Sequence, residues 1–250
     1  MALFKSGNPA LDKDTFEQFA VAAETEGVMT IQGTVNKTGI LLALVFLAAL
    51  YPWQVISQTH DYNSLLTAFW ISLLGALGVG FWIAHNKEHA GILAPVYAIL
   101  EGFVLGELSA LMDIRYPGIV FESLMLTFGI ATCLLIIYKF EWIQPTANFK
   151  LIVASSTSGI VAYYVISLIL SFFGITAPLV NDNSILGIFF SLFVVVIASM
   201  NFVVDFDFIE DGVNRKCPKY MEWYGAFGIM VTIIWLYIEI LRLLAKSRRR

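Results

Sequence analysis

From Ser184 to Val204 the chain reads Ser-Ile-Leu-Gly-Ile-Phe-Phe-Ser-Leu-Phe-Val-Val-Val-Ile-Ala-Ser-Met-Asn-Phe-Val-Val, without one charged residue. A helix of about twenty such residues covers about 30 Å, the thickness of bilayer hydrocarbon. Hydrocarbon gives the backbone no outside partners, so a crossing segment is a helix or part of a closed barrel. The alternating runs of about ten residues that mark a membrane barrel are absent. Working outward from this stretch, apolar runs recur along the chain. They predict seven spans near 39–57, 64–84, 90–112, 118–140, 150–174, 184–206 and 221–244.

Composition agrees. Of 250 residues, 14% are charged and 58% hydrophobic, with 20 Phe, 10 Tyr and 6 Trp. Soluble domains average about 25% charged residues, so a soluble fold could not hide this apolar surface. Disordered, collagenous, nucleic-acid-binding and disulfide-stapled classes are excluded as well. Cys133 sits in an apolar run and Cys217 in a loop, which implies no disulfide framework. The expected class is an all-α polytopic membrane protein.

The organisation follows from the dividers. Residues 1–38 read as a cytoplasmic segment, polar and mixed in charge rather than a cleavable signal. Asp14-x-x-Glu17 can cap a short amphipathic helix ending at Gly27. Residues 39–246 form the membrane domain and 247–250 a basic tail. Loops on the N-terminal side carry Lys87, Lys139, Lys150, Arg215, Lys216 and Lys219; those opposite carry Arg115 alone. Positive charge favours the inside, so the N-terminus is expected in the cytoplasm and, after seven spans, the C-terminus outside. The tail, with Arg242, Lys246 and Arg248 to Arg250, argues the other way, and a span that dips and returns would reconcile the two. Gly75-Ala-Leu-Gly78-Val-Gly80 and Gly102-x-x-x-Gly106 supply small residues where helix backbones can approach.

Soluble-enzyme motifs are scarce, with no P-loop and no dinucleotide fingerprint. His85-Asn86-Lys87-Glu88-His89 matches the H-x-x-E-H pattern of some zinc peptidases. The pentapeptide falls in a tight turn and His60 lies at the other membrane face, so a solvated turn is expected rather than a metal site. Carboxylates inside spans are the informative residues, because ionisable groups there are costly and usually face a bundle interior or a watery path. Glu101 lies at mid-span with no basic neighbour three or four positions away. It reads either as a pathway residue or as a protonated acid bonded to another helix. Glu107 and Glu122 are expected to snorkel to an interface.

Asp205, Asp207, Glu210 and Asp211 close the sixth span. Asp205 and Asp207 point some 200° apart on a helix (about 100° per residue), so only one faces a given partner. With the following loop centred near Asn214, Asp205 and Glu222 fall at similar depth. Two carboxylates about 4 Å apart at an effective dielectric near 20 repel by roughly 4 kcal/mol. Such a pair tends to share a proton or take a cation such as calcium. Glu239 has Arg242 at i+3, so an on-helix salt bridge is its simplest reading.

The stretch Asn201-Phe-Val-Val-Asp205-Phe-Asp207-Phe-Ile-Glu210-Asp-Gly212, followed by Pro218-Lys-Tyr-Met-Glu222-Trp-Tyr-Gly-Ala-Phe-Gly228, resembles the bacterial branch of the Bax inhibitor-1-like family. So do Trp235-Leu-Tyr-Ile-Glu239-Ile-Leu-Arg-Leu-Leu244, Val28-Met-Thr-Ile-Gln-Gly-Thr34 with Lys37-Thr-Gly39, Glu101-Gly-Phe-Val-Leu-Gly106 and Tyr116-Pro-Gly-Ile-Val120. The resemblance covers Asn8 to Lys246. It implies a seven-helix bundle with the last helix central and a proton-sensitive calcium leak. It also implies a carboxylate pair between the last two helices near the cytosolic side. Asp205 matches the first member of that pair. For the second, local wording favours Glu239 and hairpin depth favours Glu222. No arginine lies inside spans one to six, so the basic residue that can engage the pair in the family has no counterpart here.

The expected function is a pH-sensitive calcium or cation leak channel of the bacterial inner membrane, gated by protonation of Asp205 with Glu222. Asp207, Glu101 and Glu239 are further pathway candidates. The alternative is a non-conducting regulator that binds a membrane protease or another membrane protein. No enzymatic activity, resident cofactor or nucleic-acid partner is expected; the partners are the bilayer, calcium and protons.

Overall fold

The structure is a computed structural model and describes residues 27–59, 63–174, 179 and 184–248. Seven helices, each long and apolar enough to cross a membrane, account for almost all of it. They are α1 (Ile31–Thr59), α2 (Asn63–His85), α3 (Ala90–Arg115), α4 (Ile119–Lys139), α5 (Ala147–Phe172), α6 (Ile185–Asn214) and α7 (Met221–Arg248), with a 3₁₀ turn at Lys87–His89. Among the described residues there is no strand, only an isolated antiparallel bridge between Val28 and Pro218. The amphipathic helix expected between Asp14 and Gly27 lies outside the described residues.

Local chemistry sets the helix ends. Thr146 starts α5, its hydroxyl accepting the Phe149 amide at 3.3 Å. Gly118, at φ 81°, supplies the left-handed residue between Pro117 and α4. Two boundaries differ from the hydropathy reading. Helix α1 begins at Ile31 rather than at Gly39, and α6 continues to Asn214 rather than stopping near Phe206. Both extra turns are polar, and a helix leaving hydrocarbon can continue through headgroups where water and lipid satisfy polar side chains.

The chain forms two compact units. One draws on residues 27–117 and 208–231, the other on 118–207 and 232–248. In the first, α1 and α2 both pack on α3. Gly102 makes the α1 contact close: a Cβ there would sit 2.5 Å from the Val45 carbonyl oxygen and 2.7 Å from the Ala48 Cβ. Gly106 is as tight against Ala49 and Pro52. Small residues allow this approach, and dispersion between the backbones replaces the hydrophobic drive that lipid removes. The α2 glycines are less uniform, for Gly75 meets Leu100 and Gly80 meets Tyr97, whereas Gly78 touches nothing within 4 Å. Further along, Ile56, Leu65 and Ala110 are buried together.

In the second unit Ile160, Val194 and Ile197 form a buried cluster flanked by Tyr164, Phe190, Met200 and Trp235. Asn201 ties α6 to α5, its Nδ2 donating to Thr157 Oγ1 at 3.0 Å. Half of the apolar window of α7 is buried, against 11% for α5. Helix α7 is continuous from Met221 to Arg248.

Candidate functional site: carboxylates of the last two helices

Glu222 belongs to the first unit and is 1% exposed. Backbone pairing brings α1 to it. The Met29 amide donates to the Cys217 carbonyl at 2.8 Å and the Lys219 amide to the Gly27 carbonyl at 3.0 Å. That strap sets the start of α1 against the first turn of α7. Glu222 Oε1 accepts the Thr30 amide at 3.0 Å and the Thr30 hydroxyl at 2.8 Å. Its Oε2 is paired with the Lys37 ammonium, which also lies 5.5 Å from the Trp223 ring centre. Gly33 leaves the space this requires, since a Cβ there would overlap the carboxylate. The carboxylate of α7 thus acts as an N-terminal cap of α1, where negative charge is favoured by unpaired amides and the helix dipole.

Asp205 belongs to the second unit. It is partly buried and its Oδ2 accepts the Thr232 hydroxyl at 2.6 Å. The residue on α7 that meets Asp205 is therefore Thr232. Glu222 stands ten residues before Thr232 on that helix and Glu239 seven after it. At 1.5 Å per residue these are about 15 Å and 10 Å along the axis. The equal-depth argument for Asp205 with Glu222 placed Asn214 at a loop centre, whereas Asn214 is the last residue of α6. Each carboxylate instead has a separate partner.

Glu239, also 1% exposed, forms the predicted on-helix bridge with Arg242, whose Nη1 reaches its two oxygens at 2.9 and 3.1 Å. Tyr164 completes this cluster from α5: its hydroxyl donates to Glu239 Oε1 at 3.0 Å and accepts from Arg242 at 2.8 Å. One turn on, Lys246 is buried and donates to the Leu179 and Gly187 carbonyls and to Ser191 Oγ. Asp207 pairs with Lys150 at the start of α5, and Asp211 with Arg215.

On α3, Glu101 is partly buried, with no hydrogen-bond partner among the described residues. Glu107 does not snorkel: it is 5% exposed and its Oε1 has no partner. Glu122 is exposed and bonded to Arg248. His85 Nδ1 lies 2.9 Å from the Phe81 carbonyl, and no group of three metal-ligating side chains occurs among the described residues.

Thr30, Gly33, Lys37 and Thr232 carry much of this arrangement and were not singled out as site residues by sequence reasoning. The motif Val28-Met-Thr-Ile-Gln-Gly-Thr34 with Lys37 held the signal, a glycine and a lysine one turn apart at the start of a span. Outside the spans, burial pushes the Cys217 thiol up from 9.0 to about 11; Asp211 adds to this, and Arg215 and Lys87 oppose it.

Seven apolar helices with carboxylates held inside them define a multi-pass helical membrane protein with an ionisable interior. Residues 8–249 match the family described as Bax inhibitor 1 like, and the chain belongs to that family. No curated protein and no solved structure matches it.

Proposed function

We propose that this protein is a pH-sensitive leak pathway for calcium or another cation across the bacterial inner membrane. In this reading the N-terminus is cytoplasmic and protonation of Asp205 controls the gate between α6 and α7. One observation carries it. Glu222 and Glu239 each hold a basic side chain, whereas the described partner of Asp205 is the neutral Thr232 hydroxyl. A carboxylate inside a span without a basic partner can take up a proton or a passing cation. The original pairing is narrowed accordingly: Asp205 is the titrating member, and Glu222 with Lys37 fixes the end of the adjoining helix. Glu101, on α3, is a further pathway candidate by itself, while Asp207 and Glu239 are held by Lys150 and Arg242.

The protein acts without enzymatic chemistry or a resident cofactor. Calcium flux into proteoliposomes between pH 6 and pH 8 tests the reading. Flux that rises with pH and loses its pH dependence in Asp205→Asn supports it. Folded protein that passes no calcium or monovalent cation at any pH favours the alternative, a regulator that binds a membrane protein.

A further inference from the structure

Beside the Glu222–Lys37 pair lies a cavity of about 380 Å³, walled by Val28, Asn36, Lys37, Ile40, Lys219 and Trp223. It belongs wholly to the first unit, at the start of α1 and the first turn of α7. Its hydrogen-bonding capacity is one-sided. Both oxygens of Glu222 are engaged by Thr30 and Lys37, and the Thr30 hydroxyl donates to Glu222 while accepting the Gly33 amide at 3.0 Å. The Asn36 amide is oriented by Gln32, whose Nε2 donates to Asn36 Oδ1 at 2.9 Å. That leaves Asn36 Nδ2 as a donor. Lys37 has two further ammonium protons after serving Glu222, and Lys219 brings a second ammonium. One lone pair on Asn36 Oδ1 and one on Glu222 Oε2 stay open, but the open N–H donors of Asn36, Lys37 and Lys219 outnumber them. Two lysines against one carboxylate leave the cavity with a net positive charge.

The rest of the wall is apolar. Val28 and Ile40 are 43% and 50% exposed, and Trp223 supplies an indole, a side chain suited to the boundary between headgroups and hydrocarbon. The complement of this surface is an anion with several acceptor oxygens and an apolar appendage. We propose that the cavity binds a phosphate group, with a net-anionic phospholipid headgroup as its natural source. Basic pockets between spanning helices recognise such headgroups through charge and donor geometry. The site does not depend on whether the protein conducts ions.

Native mass spectrometry of the full-length protein in detergent, titrated with phosphatidylglycerol or phosphatidylcholine, tests this directly. Wild type should retain one phosphatidylglycerol in preference to phosphatidylcholine. Lys219→Gln should weaken that retention about fivefold, the effect expected of one lysine near an anionic surface. Lys219→Arg should restore it, and Asn36→Leu should weaken it without disturbing Glu222. Unchanged gel-filtration elution and helix content keep the comparison valid. Inorganic phosphate and glycerol phosphate form the second arm. If either displaces the lipid or raises the thermal midpoint of wild type but not of Lys219→Gln, the site also takes soluble phosphate; if neither does, the occupant is the lipid. Equal retention of the two lipids with no phosphate effect, or retention unchanged in Lys219→Gln and Asn36→Leu, overturns the proposal.

Discussion

The Glu222 carboxylate fills the space in which a side chain at Gly33 would begin. The acidic group of the last helix and the missing side chain of the first are therefore one packing solution. Gly33→Ala should force the carboxylate or the start of α1 to move. The expected loss is about 1–3 kcal/mol, the usual cost of overpacking a well-filled site. In a Glu222→Ala background the same change should cost much less, because the two positions share one volume. Thermal unfolding in detergent reads both, and equal losses in the two backgrounds would show that something else sets the space.

Lys37 neutralises that carboxylate, so its removal should be worse than a surface change. Lys37→Met leaves Glu222 buried without its ammonium, a class of change that costs about 3–5 kcal/mol at fully buried sites. The lysine side chain is 16% exposed, which puts the expected loss at the lower end. Pairing Lys37→Met with Glu222→Gln should recover part of it. A double mutant as unstable as the sum of the singles would mean that the two groups do not interact.

The proposed gate makes a different demand on Asp205. Asp205→Asn should abolish the pH dependence of flux. Thr232→Val, which removes the donor to Oδ2, should move the midpoint and leave the dependence in place. Glu222→Gln and Glu239→Gln should affect stability more than pH response, since each glutamate already has a basic partner. A response lost only in Glu239→Gln would transfer the gate to the Tyr164–Arg242 cluster.

Orientation can be read by labelling in intact cells, with Cys133 and Cys217 replaced. A cysteine at position 115 should react with an impermeant maleimide and one at 87 should not. The reverse pattern would turn the protein over and place the start of α1 outside.

Cys217 offers a pH test outside the spans. Its thiol is raised to about 11, with burial as the main cause, so the folded protein should be alkylated slowly at pH 8 and faster near pH 11. The folded state retains the proton that the unfolded state releases above about 9, so this contribution is complete below that pH and is lost as pH rises through about 11. Rapid alkylation of folded protein at pH 8 would show that the thiol is neither buried nor raised.

The sequence was most informative where physics acts locally. A charge-free run such as Ser184 to Val204 has one way to satisfy its backbone in hydrocarbon, so the seven helices could be counted before any contact was known. Gly102-x-x-x-Gly106 likewise announced a close helix approach. The Glu239–Arg242 bridge was legible because both residues lie on one helix.

Helix ends and carboxylate partners were less legible. Hydropathy measures hydrocarbon thickness, so it stopped α1 at Gly39 and α6 near Phe206, although both helices continue through polar turns. Those turns carry Lys37 to Glu222 and shift the residue facing Asp205 to Thr232. By itself the sequence determined an all-helical membrane protein of seven spans with carboxylates inside, because a backbone that enters hydrocarbon must satisfy its own polar groups whichever helices surround it. Only the tertiary structure decided which carboxylate gained a cation and which a hydroxyl, because that depends on the register of separate helices and differs with a shift of a single turn.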